Sequence, residues 1–330
     1  MFKSSVWVVA LWAAVCAACS EAAPANEEPA RERVVLGLVG KSQSNPVFQA
    51  AYTGAKAAAA ELGAQRGIDV VIDWQTPPDE DPAAQAAALE QLARRGVRGI
   101  AVSVSEANTL RPAIDKAVEL GAQVVCFDSD APGSARFAFL GTDDIACGRQ
   151  VGSELAAALG GVGTVAILAG NQAAPNLAAR VEGVRASLAE HEGLNLLDDG
   201  IYYHAETPEQ AAETVARAQS THPEIDGWAF VGGWPLYTRG SLRWEPGAVK
   251  VVSVDALPAQ LSYLESGHVN VLLEQDCFAW GYRSVELLLA RVLDGEVPAE
   301  GPRLTMPLRE IRAAQVPEVL ARWEAWRGDR

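Results

Sequence analysis

Amide, carboxylate and aromatic side chains recur directly after short β-rich runs in this sequence. Asn45 and Phe48 follow VVLGLV, Asp128 follows AQVVCF, and Asp255 follows KVVSV. Carboxylates and amides exchange hydrogen bonds with hydroxyl groups, and aromatic rings cover the apolar C–H faces of a ligand. These residue types therefore indicate a site for a neutral, hydroxyl-rich small molecule.

Patterns typical of metal or nucleotide chemistry are missing from the sequence. Cys126, Cys147 and Cys277 have no CxxC or Cys/His spacing, and we interpret them as three small, partly buried thiols. GVG at 161–163 lacks the remainder of a GxGxxG motif. The four histidines are scattered beside turns, where we expect surface positions. We therefore expect no cofactor, no metal and no catalytic residue.

The first 19 residues predict a secretory signal of a lipoprotein. Lys3 precedes an apolar run that is too short to span a bilayer, and small residues follow it. The CAAC at its end resembles the lipobox of bacterial lipoproteins, with Cys19 as the lipid attachment site and Cys16 as the weaker candidate; an ordinary signal peptide is the alternative. Residues 20–33 contain no large apolar side chain and are interpreted as a flexible tether. We expect an exported protein that is held to the membrane only by lipid and faces the periplasm or the cell surface.

Beyond the tether, β-rich runs alternate with helix-length segments. The runs from VVLGLV to VNVLL are continuously apolar, and intervening segments such as AAQAAALEQLARRG carry apolar residues at three- and four-residue spacing. This alternation predicts an α/β fold with parallel sheets covered on both faces, and nine runs are too many for one Rossmann-like unit. We therefore predict two doubly wound parallel-sheet lobes. Ligands of such sheets bind beyond the carboxyl ends of the strands, where the polar residues lie.

Several longer segments together resemble the type I periplasmic binding proteins of sugar ABC transporters, the group with ribose-, galactose- and rhamnose-binding proteins. They are SNPVFQAAYTGAKAAAAELG, GVRGIAVSVSEANTLRPAIDKAVELGAQVVCFDSDAP, FLGTDDIACGRQVGSELA, GTVAILAGNQAAPNLAARVEGVRASL and VVSVDALPAQLSYLESGHVNVLLEQDCFAWGYRSVELLL. The resemblance implies two lobes joined by three hinge crossings. The first lobe would contain 34–142 plus 276–303, and the second lobe 143–275 plus 304–330.

The same resemblance implies a set of ligand-binding residues in the cleft between the lobes. The set consists of Lys41, Asn45, Phe48, Asp128, Asn176, Arg180, Trp234, Asp255 and Gln275. Phe48 would pack on a sugar face, and Asp128 and Asp255 would be the ligand carboxylates of the two lobes. Val47, Ser129 and Ala178 depart from the ribose-binding pattern, which has an aromatic residue at the first position and arginines at the other two. These departures argue against ribose itself, with Lys41, Trp234 or Trp280 as compensating contacts.

Each of these residues also has a structural alternative. Asp128 and Asp255 could cap a turn or helix, and Asn45 could cap a helix while also facing a ligand. Arg180 could contact ligand or latch the hinge, and Gln275 could satisfy hinge backbone groups. Trp234, in the turn sequence GGWP, is interpreted as a stacking surface, whereas Trp280 and Phe278 are assigned to core packing.

We expect a monomeric solute-binding protein that delivers a monosaccharide or related polyol to an ABC permease and its ATPase. A sensing module that presents the sugar to a chemoreceptor or sensor kinase is the alternative. A net charge of −15 argues against a nucleic-acid partner. A hydrolase using Asp128 with Asp255 would need a paired nucleophile and base, which the sequence does not supply.

Overall fold

The computed structural model describes Met1 and residues 31–327. The predicted signal at 1–19, with Cys19, and most of the predicted tether lie outside the described residues. Within the described residues, no helix combines the length and the apolar character needed to cross a bilayer.

The first of two six-stranded sheets is entirely parallel. It contains β1 (Arg33–Val39), β2 (Asp69–Trp74), β3 (Gly99–Val102), β4 (Gln123–Phe127), β5 (Ala138–Gly141) and β11 (Arg303–Thr305). Their spatial order is β11-β5-β4-β3-β1-β2. The sheet and its covering helices form the first lobe.

The second sheet has the spatial order β12-β10-β9-β8-β6-β7, and only its edge strand β12 runs antiparallel to its neighbour. The strands are β6 (Gly163–Gly170), β7 (Leu194–Tyr203), β8 (Gly227–Phe230), β9 (Lys250–Val254), β10 (Val271–Glu274) and β12 (Arg309–Ile311). The two sheets confirm the predicted fold class of two doubly wound lobes. The inner strands β3, β5 and β8 are buried along their whole length, which explains their continuous apolar sequences.

Helices cover both faces of each sheet. They are α1 (Pro46–Arg66), α2 (Pro82–Arg94), α3 (Ala107–Glu119), α4 (Asp144–Leu159), α5 (Pro175–Leu188), α6 (Pro208–Thr221), α7 (Pro258–Glu265), α8 (Cys277–Leu289) and α9 (Val316–Arg327). Several begin with proline in the first turn, preceded by a side chain that accepts a bond from a backbone N–H, as Asn45, Asp81 and Thr207 do. These caps fix the residue at which each of these helices begins.

The chain passes between the two sheets in three places. It leaves the first sheet after Gly141, returns after Glu274, and leaves again after Thr305. The third predicted boundary, between 303 and 304, falls inside β11, which pairs with β5 in the first sheet. Strand β11 ends at Thr305, so the third passage begins two residues after that boundary.

Matching pairs of helices cross at glycines in the two lobes. In the first lobe α1 meets α8, and a Cβ atom on Gly54 would overlap the carbonyl oxygen of Phe278. In the second lobe α4 meets α5, and a Cβ atom on Gly148 would overlap the carbonyl oxygen of Arg180. Backbone atoms cannot move aside as the end of a flexible side chain can. Because the overlapping atoms belong to the backbone, these crossings require glycine.

The C-terminal helix α9 touches both lobes. The Trp326 ring stacks on Phe278 of the first lobe, with ring centroids 5.0 Å apart. Trp323 Nε1 donates a hydrogen bond to the carbonyl oxygen of Ala256 in the second lobe, at 3.2 Å. Arg322 Nη2 donates to both carboxylate oxygens of Glu274, each at 2.6 Å, at the second passage between the sheets. Helix α9 thus lies along the junction of the lobes.

Replacing Gly54 with alanine should destabilise the protein. Alanine favours a helix over glycine by up to ~1 kcal/mol, but the added methyl group would force α1 away from α8. We expect the free energy of unfolding to fall by roughly 1–3 kcal/mol, as for other overpacked cores, in urea unfolding followed by circular dichroism. Ala60→Ser adds one heavy atom on the exposed side of the same helix and serves as the control. Equal stability of Gly54→Ala and wild type would contradict the close crossing.

Candidate functional site

The ends of the strands in both lobes meet around one buried cavity. Its lining includes every side chain of the predicted set, namely Lys41, Asn45, Phe48, Asp128, Asn176, Arg180, Trp234, Asp255 and Gln275. It also includes Val47, Leu177, Glu206, Gly232 and Trp280. The first lobe contributes the loops after β1 and β4, and the second lobe contributes α5 and the loops after β7, β8 and β9.

Asp128 and Asp255 occupy equivalent positions in the two lobes. Each directly follows a central strand and adopts a left-handed backbone conformation, with φ of 59° and 71° respectively. Their backbone N–H groups donate to the neighbouring strand, at Leu140 (3.0 Å) and Leu273 (2.8 Å). Such a conformation costs free energy for residues other than glycine and is concentrated at functional sites. The paired strain therefore marks the two aspartates as a functional candidate.

The carboxylates of these aspartates do not cap the helices that follow them. Asp128 Oδ2 accepts a hydrogen bond from Ser103 Oγ at 2.7 Å, and Asp255 Oδ1 accepts one from Gln275 Nε2 at 2.8 Å. Helix α7 has Leu257 at its N-cap, without a side-chain cap. Burial raises the pKa of Asp255, and the nearby Arg180 guanidinium opposes that shift.

Arg180 is a fully enclosed cation whose bonds go to protein groups. Nε donates to Asp144 Oδ1 (2.9 Å), Nη1 to the carbonyl oxygen of Val231 (3.0 Å), and Nη2 to Gln275 Oε1 (2.7 Å). Burial lowers its pKa, but the Asp144 carboxylate, together with the weaker effects of Cys147, Asp128 and Asp255, outweighs burial and the pKa is raised. Burial raises the pKa of Asp144 to about 6, although Arg180 opposes this. In this conformation Arg180 acts as a latch to the hinge residue Gln275.

Gln275 joins the first two passages between the sheets. Its Oε1 accepts from Thr142 Oγ1, in the first passage, at 2.8 Å, and also from Arg180. Its Nε2 donates to Asp255. The side chain of Gln275 thus bonds to other side chains rather than to hinge backbone.

Lys41 and Asn176 connect the two lobes across the cavity. Lys41 Nζ donates to Asn176 Oδ1 at 3.3 Å, and Asn176 Nδ2 donates to Asp128 Oδ1 at 3.4 Å. Burial lowers the pKa of Lys41, but the carboxylates of Glu206, Asp128 and Glu80 outweigh burial and the pKa is raised. The lobes are therefore closed on each other through polar contacts.

The aromatic lining comes from both lobes. Phe48 is held edge-to-face against Phe127, with ring centroids 6.4 Å apart, directly after the Asn45 cap of α1. Trp234 is 4% exposed, and Gly170 and Gly232 leave room for its indole. Asn45 therefore both caps its helix, by accepting from the Val47 N–H at 3.2 Å, and faces the cavity.

The observed positions of Trp280, Phe278 and His204 can be compared with those predicted from the sequence. Trp280 is packed as expected, but it also lines the cavity, and its Nε1 has no hydrogen-bond partner. Phe278 does not line the cavity and stacks on Trp326. His204 is only partly exposed, because its ring packs edge-to-face on Trp234, with ring centroids 5.0 Å apart.

Glu206 is the charged lining residue that the sequence analysis missed. It lies three residues beyond β7, its side chain is 8% exposed, and its Oε1 has no hydrogen-bond partner. Lys41 Nζ is 4.0 Å from Oε1. Burial raises the pKa of Glu206 to about 7, with Lys41 opposing. The β-rich run GIYYH, residues 200–204, precedes Glu206. Looking for polar residues beyond the carboxyl end of this run, as was done for other strands, would have identified Glu206.

The cavity between the closed lobes is small. Its volume of about 30 Å³ suffices for one or two water molecules. The described residues include no group of three His, Cys, Asp or Glu side chains arranged to hold a metal ion, and Cys126, Cys147 and Cys277 are buried and free. A larger guest would have to displace the contacts among Lys41, Asn176 and Asp128. The closed lobes therefore leave only a small, polar-lined space at the site.

The buried carboxyl of Glu206 predicts a pH-dependent stability. Its folded-state pKa, about 7, exceeds the ordinary value of 4.5, so the folded state holds the proton more tightly. The free energy of unfolding should therefore fall as pH rises from about 4.5 to about 7. Glu206→Gln should remove that pH dependence in urea unfolding measured at several pH values. The exposed Glu209→Gln is the matched control, and identical pH profiles for Glu206→Gln and wild type would refute the assignment.

Comparisons with known proteins agree with this architecture. A D-ribose/D-allose-binding protein of Pseudomonas aeruginosa is 25% identical over 304 residues, which are 87% of this chain and 92% of that protein. An ABC transporter solute binding protein from Burkholderia graminis, solved with D-arabinose, superposes with a TM-score of 0.78 at 24% identity, covering 87% of this chain and 98% of that one. A glucose-galactose binding protein from Geobacillus stearothermophilus gives 0.77 at 25% identity, covering 87% and 100%.

A family model described as a periplasmic binding protein domain matches residues 36–296, the greater part of both lobes. That segment carries the nine predicted contacts and the helix pairs that cross at glycine. With this match, the two parallel-sheet lobes and the enclosed cleft, the chain belongs to the periplasmic binding protein family.

Proposed function

We propose that this protein captures a monosaccharide or related polyol between its lobes and delivers it to an ABC importer. The observation that carries the proposal is the meeting of amide, carboxylate and aromatic side chains from both lobes around one buried cavity. The relatives support the same class of ligand, because their names or bound molecules are ribose, allose, arabinose, glucose and galactose. The family is one of binding proteins, and the site supplies no catalytic group.

The proposed ligand contacts follow from the chemistry of the lining. Asp128 and Asp255 would each accept hydrogen bonds from sugar hydroxyls, and Asn45, Asn176 and Lys41 would donate to sugar oxygens. The rings of Phe48, Trp234 and Trp280 would cover the C–H faces of the ring. Val47 offers no aromatic face where the ribose-binding pattern has one, so the stacking contributed by the second lobe would carry more of the selectivity.

Capture would operate through the equilibrium between open and closed lobes. The contacts from Lys41 to Asn176 and from Asn176 to Asp128 are long, at 3.3 Å and 3.4 Å, so they stabilise the empty closed form only weakly. A ligand that replaces them with shorter bonds to both lobes would favour closure by the difference in its affinity for the two forms. The permease would then recognise the closed arrangement.

Export and anchoring complete the proposal. We infer that the chain is exported, attached to the membrane by lipid on Cys19, and monomeric, with the permease and its ATPase as partners. The family description supports a place outside the cytoplasm. Acid hydrolysis and mass spectrometry of the membrane-associated protein would test for the lipid.

Isothermal titration with ribose, allose, arabinose, glucose, galactose, rhamnose and polyols tests the proposed function. We expect at least one to bind with a micromolar or lower Kd, which corresponds to about 8 kcal/mol or more. Asp128→Asn and Asp255→Asn should each weaken that binding roughly 10- to 100-fold, because a hydrogen bond to a charged group contributes about 1.5–3 kcal/mol.

Asp199→Asn is the matched control for both variants. Asp199 also has a positive φ, of 55°, but it lies on the exposed part of β7. Asparagine tolerates this backbone conformation, so all three variants should fold. Failure of every sugar to bind wild type, or equal binding by all three variants, would contradict the proposal.

A further inference from the structure

A second and larger chamber adjoins the small cavity between the lobes. Its volume is about 530 Å³, and Glu206 is the residue that lines both spaces. We call the larger space the outer chamber. Glu206 Oε1 makes no hydrogen bond and its ion contact with Lys41 is 4.0 Å long, so this side chain is held only weakly where the two spaces adjoin.

Both lobes build the outer chamber, so it belongs to the same cleft. The first lobe contributes Ser44, Asp79 and Glu80, from the loops after β1 and β2, and the second lobe contributes the loops after β6 and β7. Asn171 Nδ2 donates to Glu80 Oε1 at 2.8 Å and bridges the lobes beside the chamber. A molecule in the chamber would therefore contact both lobes when they close.

Two buried polar atoms in the chamber lining lack partners. They are Glu206 Oε1 and His204 Nε2, and each would gain a hydrogen bond from a ligand hydroxyl. A buried polar atom without a hydrogen bond is unfavourable, and a bound ligand that supplied the bond would remove that penalty. Tyr203, 44% exposed, presents an aromatic face in the same lining. These features are suited to a second sugar ring.

The charge of the outer chamber further restricts the class of ligand that could bind there. Its lining contains the carboxyl groups of Asp79, Glu80 and Glu206, and no lysine or arginine among the described residues. Burial lowers the pKa of His204, so its imidazole is neutral near pH 7. Phosphorylated or carboxylated sugars would be repelled there.

Resting on the proposed sugar-binding function, we propose that the cleft takes a neutral disaccharide or glycoside. One unit would lie in the inner cavity between Asp128 and Asp255, and the second would extend past Glu206 into the outer chamber. The chamber is large enough for an additional ring, since ligand sites for whole small molecules span about 300–1,000 Å³.

Isothermal titration of the whole protein compares the monosaccharides of the panel with lactose, melibiose, cellobiose, maltose, trehalose, sucrose and xylobiose. We expect one disaccharide to bind at least 10-fold more tightly than its component monosaccharides. Ala205→Trp would fill the chamber from its exposed loop and should weaken the disaccharide at least 10-fold while changing monosaccharide affinity less than 2-fold. Ala189→Trp, exposed at the end of α5, is the matched control. Tyr203→Ala gives a second variant with the same expected pattern, in case the added indole impairs folding.

The possible failures are distinguishable. Monosaccharide binding without a tighter disaccharide would overturn the outer-chamber proposal and leave the proposed function standing. Equal weakening of both ligand types by Ala205→Trp and Tyr203→Ala would also overturn it, because the chamber would then act only through lobe closure. Absence of all sugar binding would remove the proposed function and this inference together.

Discussion

The carboxamide of Gln275 is the interaction on which the cleft depends. It accepts from Thr142 in the first passage between the sheets, accepts from Arg180 on α5, and donates to Asp255. Arg180 is buried, and a buried cation that loses a partner typically destabilises a protein by several kcal/mol. The same bonds that satisfy this cation also hold the second-lobe carboxylate in place. Hinge geometry and site geometry are therefore set by one network.

The two lobes share the same structural arrangement around the cavity. In each, an aspartate in a left-handed conformation ends a central strand and is held by a neighbouring strand, at Leu140 or at Leu273. In each, two helices approach so closely at glycines that their backbones are in contact. The lobes differ at the cavity wall, where the second contributes Arg180 and Trp234 and the first contributes Lys41. We therefore expect ligand specificity to depend on the cavity-lining side chains that differ between the two similar lobes.

Most of the fold was predictable because buried parallel strands have continuous apolar sequences that alternate with amphipathic helices. The strands β5, β11 and β12 were missed: β11 (RLT) and β12 (REI) each contain a single large apolar residue, and no helix separates β5 from β4. The positions of the predicted contacts around one cavity could be inferred because carboxyl ends of parallel strands share an edge. Glu206 was missed because it lies three residues beyond the end of β7, which is an edge strand of the second sheet. The small volume of the closed cavity, and the choice between the two roles considered for Arg180, depend on which partners each side chain meets, and no local sequence pattern records that.

Helix α9 has a practical consequence for anyone who attaches a reporter to this protein. Its aromatic residues rest on Phe278 on one side and reach the carbonyl of Ala256 on the other, while Arg322 holds the strand between them. A fluorescent fusion at the C-terminus would follow a helix that contacts both lobes. If the lobes open and close as proposed, the contacts of that helix must change with them, and the optical signal of the fusion would report that change.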